Sequence, residues 1–145
     1  MDKELILLAE NIASAAEKSF LSLFENRVSY YYCVLVTTGE ALPPFISAWS
    51  KEALLEFARK TSEEDANISK WFYGDSPYFD FENENFEKVR ELFYARQSDL
   101  DNNFFKETDF RIEAMVLAME VLDEKGILSF NQARSKVYIN VEVVP

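Results

Sequence analysis

Residues 28–50 read VSYYYCVLVTTGEALPPFISAWS, and the reading of this stretch decides the fold. In residues 28–37 the even positions are Val, Tyr, Tyr, Val and Val, and the odd ones Ser, Tyr, Cys, Leu and Thr. Neither set is polar, which predicts a strand covered on both faces. Pro43 and Pro44 cannot donate ladder hydrogen bonds, so a second strand starts near Phe45 after a turn in residues 38–44. Phe45, Ser47 and Trp49 then alternate with Ile46 and Ala48. The two runs predict a β-hairpin at the middle of a small sheet.

Outward from the hairpin, the chain is mostly helical. Leu5, Leu8, Ile12, Ala16, Phe20 and Leu23 recur at three- and four-residue spacing and predict an amphipathic helix over residues 3–26. After the hairpin, Ser50 is an N-cap for a helix over 51–60 with Leu54, Phe57 and Ala58 inward. Residues 61–67 (TSEEDAN) read as a frayed helix end or a loop. Residues 68–86 (ISKWFYGDSPYFDFENENF) hold aromatics that cannot share one helical face, together with Gly74 and Pro77. Such a long irregular connection is uncommon and often functional.

A third helix is expected over 84–97, with Phe86, Val89, Leu92, Phe93 and Arg96 inward. Residues 99–103 (DLDNN) read as a turn. A fourth helix over 104–125 has Phe105, Ile112, Met115, Val116, Met119 and Leu122 as its stripe and ends at Gly126, which suits the left-handed C′ position. Residues 136–144 place Val137, Ile139, Val141 and Val143 on one strand face and Tyr138, Asn140 and Glu142 on the other. The prediction is one α+β domain over residues 1–145, a small mainly antiparallel sheet (hairpin plus C-terminal strand) packed with about four helices.

The 145 residues carry a formal charge of −11 and a 48% apolar content, so the chain folds despite its charge. The negative balance excludes nucleic acid as an expected partner, because that affinity comes from neutralising phosphates with Lys and Arg. An anionic membrane surface is disfavoured for the same reason, and no apolar run reaches the roughly 20 residues needed to span a bilayer. A basic protein would be steered in. The first residues, MDKELILLAENIAS, lack the pattern of a signal peptide, and with the single Cys33 no internal disulfide forms; a cytoplasmic location is expected.

The chain has no histidine, which removes Ser-His and Cys-His nucleophilic pairs and the commonest metal ligand. No glycine-rich phosphate loop is present. Cys33, inside an apolar strand, reads as a core thiol. Asp75, Asp80, Glu82 and Glu84 have the ligand chemistry for Mg²⁺ or Ca²⁺, but they do not follow the calcium-loop spacing and read as solvated acids. No cofactor or metal is expected.

Charge distribution is more specific. Residues 75–109 contain ten acids against four bases, −6 of the total −11. Glu84, Glu87 and Glu91 share one helical face, where like charges destabilise. With Trp71, Tyr73, Asp75, Tyr78, Asp80 and Glu82, and with Phe72 and Phe79, they form the candidate surface for Arg and Lys side chains of a partner. The competing reading makes the aromatics core and the acids plain surface.

Three stretches resemble the bacterial family called domain of unknown function 4303: YYYCVLVTTGEALPPFISAWSKEAL, KWFYGDSPY with the FENENFEKVRELF helix, and MEVLDEKGIL before the closing strand. The positions that carry the likeness are Ser50 and Glu52; Trp71 with Asp75, Ser76 and Tyr78; and Leu122, Asp123 and Gly126. The spacing between Tyr73 and Tyr78 departs from the family's second tryptophan. The resemblance implies an immunity protein, a small inhibitor that binds and neutralises a cognate toxin. With this charge the toxin is expected to be basic, most often a nuclease, and the inhibitor a monomer or weak homodimer. The alternatives are a carboxylate- or metal-dependent enzyme and a homo-oligomeric interaction protein unrelated to toxins.

Overall fold

The structure is a computed structural model that describes residues 2–145. Helix α1 (Lys3–Phe24) opens on Asp2, whose side chain caps the amides of Glu4 and Leu5. Strands β1 (Tyr30–Thr38) and β2 (Phe45–Ser50) form the hairpin. Helix α2 (Lys51–Lys60) starts at the Ser50 cap, and α3 (Glu63–Ser69) at the Ser62 cap. Two 3₁₀ turns, Tyr73–Asp75 and Asn83–Phe86, lead to α4 (Glu87–Ala95), α5 (Gln97–Asn102) and α6 (Phe104–Glu124). Turns at Ile127–Ser129 and Arg134–Lys136 precede β3 (Tyr138–Val144).

The α+β class is as the sequence predicts, and β1 is the central strand, in the order β2-β1-β3. The sheet is mixed rather than mainly antiparallel. Val36 lies opposite Phe45 in the antiparallel ladder, whereas Tyr32 to Thr38 run parallel with Tyr138 to Val144. A two-strand hairpin fixes its own direction. The last strand arrives through a long helical crossover, the connection a parallel neighbour requires.

Each face of β1 is buried against a different core. Cys33 and Leu35, with Ile46 and Ala48 of β2, pack under α1, α4 and α6, meeting Ile12, Phe20, Phe93 and Met115. Tyr32, Val34 and Val36, with Trp49, pack under α2 through Ala53, Leu54 and Phe57. An irregularity between Tyr30 and Tyr32 in the β1–β2 ladder lets Tyr30 join the first core while Tyr31 joins the second.

Several local expectations change. Residues 61–67 fall largely in α3, because Ser62 accepts from the Asp65 amide and acids fill its first turn. Residues 99–103 mostly continue as α5 rather than a turn, and the predicted helix over 84–97 is a 3₁₀ turn followed by α4, ending before Arg96. Among the described residues the helices therefore number six rather than about four. Gly126, at φ +75°, leaves α6 in the left-handed region as expected.

The stripe of α6 is the largest correction. Phe105 is 78% exposed and Val116 is exposed, while Glu107, Thr108 and Arg111 are buried. Glu107 accepts from Arg96 through both carboxylate oxygens (2.7 Å each) and from Arg111 Nε at 2.9 Å. Arg111 also donates to the carbonyls of Ala41 (3.2 Å) and Phe93 (3.1 Å) and stacks on the Phe93 ring. Burial raises the pKa of Glu107, but the two arginines outweigh it and hold the carboxyl below its ordinary range. This ion triad ties the β1–β2 loop, where Ala41 has φ +52°, to α4 and α6. A hydrophobic periodicity count cannot see it, since it rewards apolar spacing alone.

Candidate partner-binding surface

Polar side chains of the sheet fasten residues 70–78 across its second face. Tyr31 donates its hydroxyl to the Lys70 carbonyl (2.6 Å), Trp49 Nε1 to Phe72 (2.8 Å) and Ser47 to Tyr73 (2.8 Å). Ser76 donates to the Ala48 carbonyl and accepts from the Tyr78 amide. The connection is irregular in backbone yet satisfied bond by bond from beneath, which fixes it without regular structure. A Cβ at Gly74 would lie 2.9 Å from the Phe72 ring, so any larger residue there displaces that half-exposed ring.

The fastening leaves half-exposed aromatic rings in two networks, one around Trp71 and one around Tyr73. Trp71 meets Tyr31 edge-on at 5.1 Å and Tyr138 at 6.0 Å, and Tyr138 stacks on Tyr32 at 5.8 Å. Phe79 meets Phe45 at 5.0 Å, and Tyr73 joins Phe72 and Phe79. Trp71 is 54% exposed, and Phe72, Phe79 and Tyr138 are each 45% exposed. Rings held by other rings present contact area with little rotamer freedom left to lose on binding. Lys70 already lies over the Trp71 ring, 5.5 Å from its centroid, so the indole face accepts a cation.

An open groove of about 430 Å³ runs between α2 and residues 75–78. Phe57, Pro77 and Tyr78 give it an apolar lining, with Glu52, Glu56, Asp75 and Lys60 as its charged residues, and Glu56 is paired with Arg59 at 3.0 Å and Lys60 at 3.9 Å. Asp75 is oriented by a 2.5 Å hydrogen bond from Ser69.

The residues singled out in the sequence fall into separate places. Trp71, Tyr73 and Asp75 belong to the aromatic area and groove. Tyr78 lines the groove but packs its ring against Tyr30 of the first core, at 5.6 Å. Asp80 and Glu82 sit in left-handed backbone at φ +54° and +48°; Asn83 donates to Asp80, and Ser22 of α1 donates to the Glu82 carboxylate. Glu82 fastens the connection to α1, whereas Asp80 braces Asn83 within the connection itself. Glu84, Glu87 and Glu91 are exposed on elements that pack on α1, across the sheet from Trp71. Ridge and aromatic area are therefore two surfaces rather than one. Among the described residues no three acids, cysteines or histidines come together as metal ligands. Cys33 is fully buried, and burial pushes its thiol pKa up, as it does the hydroxyls of Tyr31 and Tyr32.

Glu52, Glu56 and Tyr138 were missed as site residues. Their local signal was only that of wet positions on a helix and an edge strand, and their grouping with Trp71 or Asp75 arises from tertiary packing.

The fold and surface define a helix-backed, three-stranded α+β domain with exposed aromatic rings and an open groove. Within that class the chain belongs to the family described as domain of unknown function (DUF4303), which matches residues 10–145. No curated protein and no solved structure matches it. No helix among the described residues is long and apolar enough to cross a membrane.

Proposed function

We propose that this chain is an acidic inhibitor of the immunity type, acting in the bacterial cytoplasm by binding and neutralising a cognate basic toxin domain, a nuclease. The observation that carries this reading is the set of half-exposed rings Trp71, Phe72 and Phe79 on one segment whose backbone at residues 70–73 is held by hydrogen bonds from the sheet, with Asp75 in the same segment. Large rigid aromatics on a chain with an excess of acids are the chemistry that receives Arg and Lys side chains of a partner. In this arrangement the aromatic area supplies the lasting contacts. The acids of α4, on the other side, add to the long-range field of a −11 chain and so to the rate of encounter.

The test is titration of the purified chain against the toxin domain encoded beside it, with toxin activity followed in parallel. Tight one-to-one binding that abolishes activity and weakens with salt is expected. Absence of binding at low salt contradicts the proposal.

A further inference from the structure

The Trp71 indole carries a cation of its own chain. The Lys70 ammonium lies 5.5 Å from the ring centroid. Its backbone is fixed, since Lys70 ends α3 and its carbonyl accepts the Tyr31 hydroxyl at 2.6 Å. The ring is held as well, edge-on to Tyr31 at 5.1 Å and to Tyr138 at 6.0 Å, yet Trp71 is 54% exposed. The same network contains a carboxylate. Tyr32, its ring centroid 6.0 Å from that of Trp71, donates to Glu142 at 3.2 Å, and Asn140 donates to the other Glu142 oxygen at 3.0 Å. Both donors are neutral, so the Glu142 charge is hydrogen-bonded without being cancelled.

We propose that Lys70 is a stand-in for the partner's cation: on binding, an arginine guanidinium of the partner takes the Trp71 ring and displaces the Lys70 ammonium. This deepens the inhibitor reading and rests on it for the identity of the partner. A partner lysine arriving at the ring would exchange one ammonium for another. The resident ammonium is tethered next to the ring, so its effective concentration is the higher of the two. A guanidinium interacts more strongly, because it is planar and stacks over the indole, and it is more weakly hydrated than an ammonium. Glu142 adds an acceptor on the β3 side of the same network, suited to the guanidinium fork. Lys70 is thereby an intramolecular competitor. It covers the ring in the free chain and sets how strong an incoming cation must be to take its place.

Hexaarginine and hexalysine, probes of equal charge, test it on the full chain by proton NMR and calorimetry. In the free chain the Lys70 ε-methylene signal, assigned by its loss in K70M, is expected upfield of an ordinary lysine, and at the ordinary position in W71L. Saturating hexaarginine is expected to return it to the ordinary position. Hexalysine, though attracted to a chain of −11, is expected to leave it shifted. K70M also removes a positive charge, so its effect is read in two backgrounds. It is expected to strengthen hexaarginine binding roughly two- to fivefold more with Trp71 present than in W71L. An unshifted Lys70 signal in the free chain, hexaarginine that leaves it shifted, equal displacement by hexalysine, or an equal K70M gain in both backgrounds overturns the proposal. Should W71L fail to fold, the Lys70 signal still decides. These readouts stand whether or not the neighbouring toxin domain binds, so they fail separately from the proposed function.

Discussion

Replacing Arg111 by methionine removes the hub of the buried ion triad and keeps most of the volume. Glu107 retains both hydrogen bonds from Arg96 and the Phe93 carbonyl keeps the Arg96 amide at 3.0 Å, so the cost falls on the carbonyl of Ala41, which loses its donor. A buried polar group left unpaired costs about 1–3 kcal/mol. Packing of the methionine on the Phe93 ring returns part of this, for a net loss of about 1–2 kcal/mol. In a domain of this size that lowers Tm by roughly 5 °C. Glu107→Gln goes further, leaving the buried Arg111 without a carboxylate and Arg96 with only the exposed Glu4, and is expected to cost about 3–5 kcal/mol at neutral pH. Urea unfolding followed by tryptophan fluorescence measures both. The sign with pH follows from the lowered Glu107 pKa. The unfolded carboxyl, titrating near ~4.3, binds a proton before the folded one does. The stability it contributes is fully present above that value and is lost as pH falls through the lower native one. The gap between wild type and Glu107→Gln should therefore be widest near neutrality and close in acid. An Arg111→Met variant as stable as wild type, or a gap that ignores pH, refutes the account of the triad.

Other expectations are narrower. Gly126→Ala meets no neighbouring atom, so its cost is conformational, about 1 kcal/mol from φ +75°, read as a shift in urea midpoint at constant slope. Ser76→Ala removes the link between Ala48 and residues 76–78; a loss of about 1–2 kcal/mol and faster amide exchange confined to residues 71–79 are expected. Cys33, with no exposed surface and a raised thiol pKa, should react with a thiol reagent only at the rate of unfolding, checked by labelling across a urea series.

The elements most legible in the sequence were those whose pattern is local. The two-faced run in β1, the prolines before β2, the Ser50 cap and the glycine after α6 each impose their conformation on a few neighbouring residues. What escaped depends on contacts far along the chain. The direction of β3 is set by a crossover, and Glu107 and Arg111 are polar residues on a core face because Arg96, Ala41 and Phe93 meet them there. The candidate surface divides in the same way. Residues 68–86 stood out as irregular and aromatic, yet only the sheet reveals that Trp71 and Tyr73 lie on one of its faces and Tyr78 and Phe86 pack toward the other. Because the chain changes faces within this segment, acids and aromatics adjacent in sequence are not adjacent in space.

The division between the two surfaces gives the most direct measurement: toxin-domain affinity and association rate for Trp71→Ala beside those for Glu87→Lys combined with Glu91→Lys. Loss of a central aromatic anchor costs about 2 kcal/mol or more, so the first variant should dissociate at least ~30-fold faster with its association rate little changed. The second should associate more slowly and less salt-dependently, with dissociation preserved. Unchanged dissociation for Trp71→Ala, or binding abolished by the α4 charge reversal alone, would contradict the assignment of the aromatic area as the contact surface.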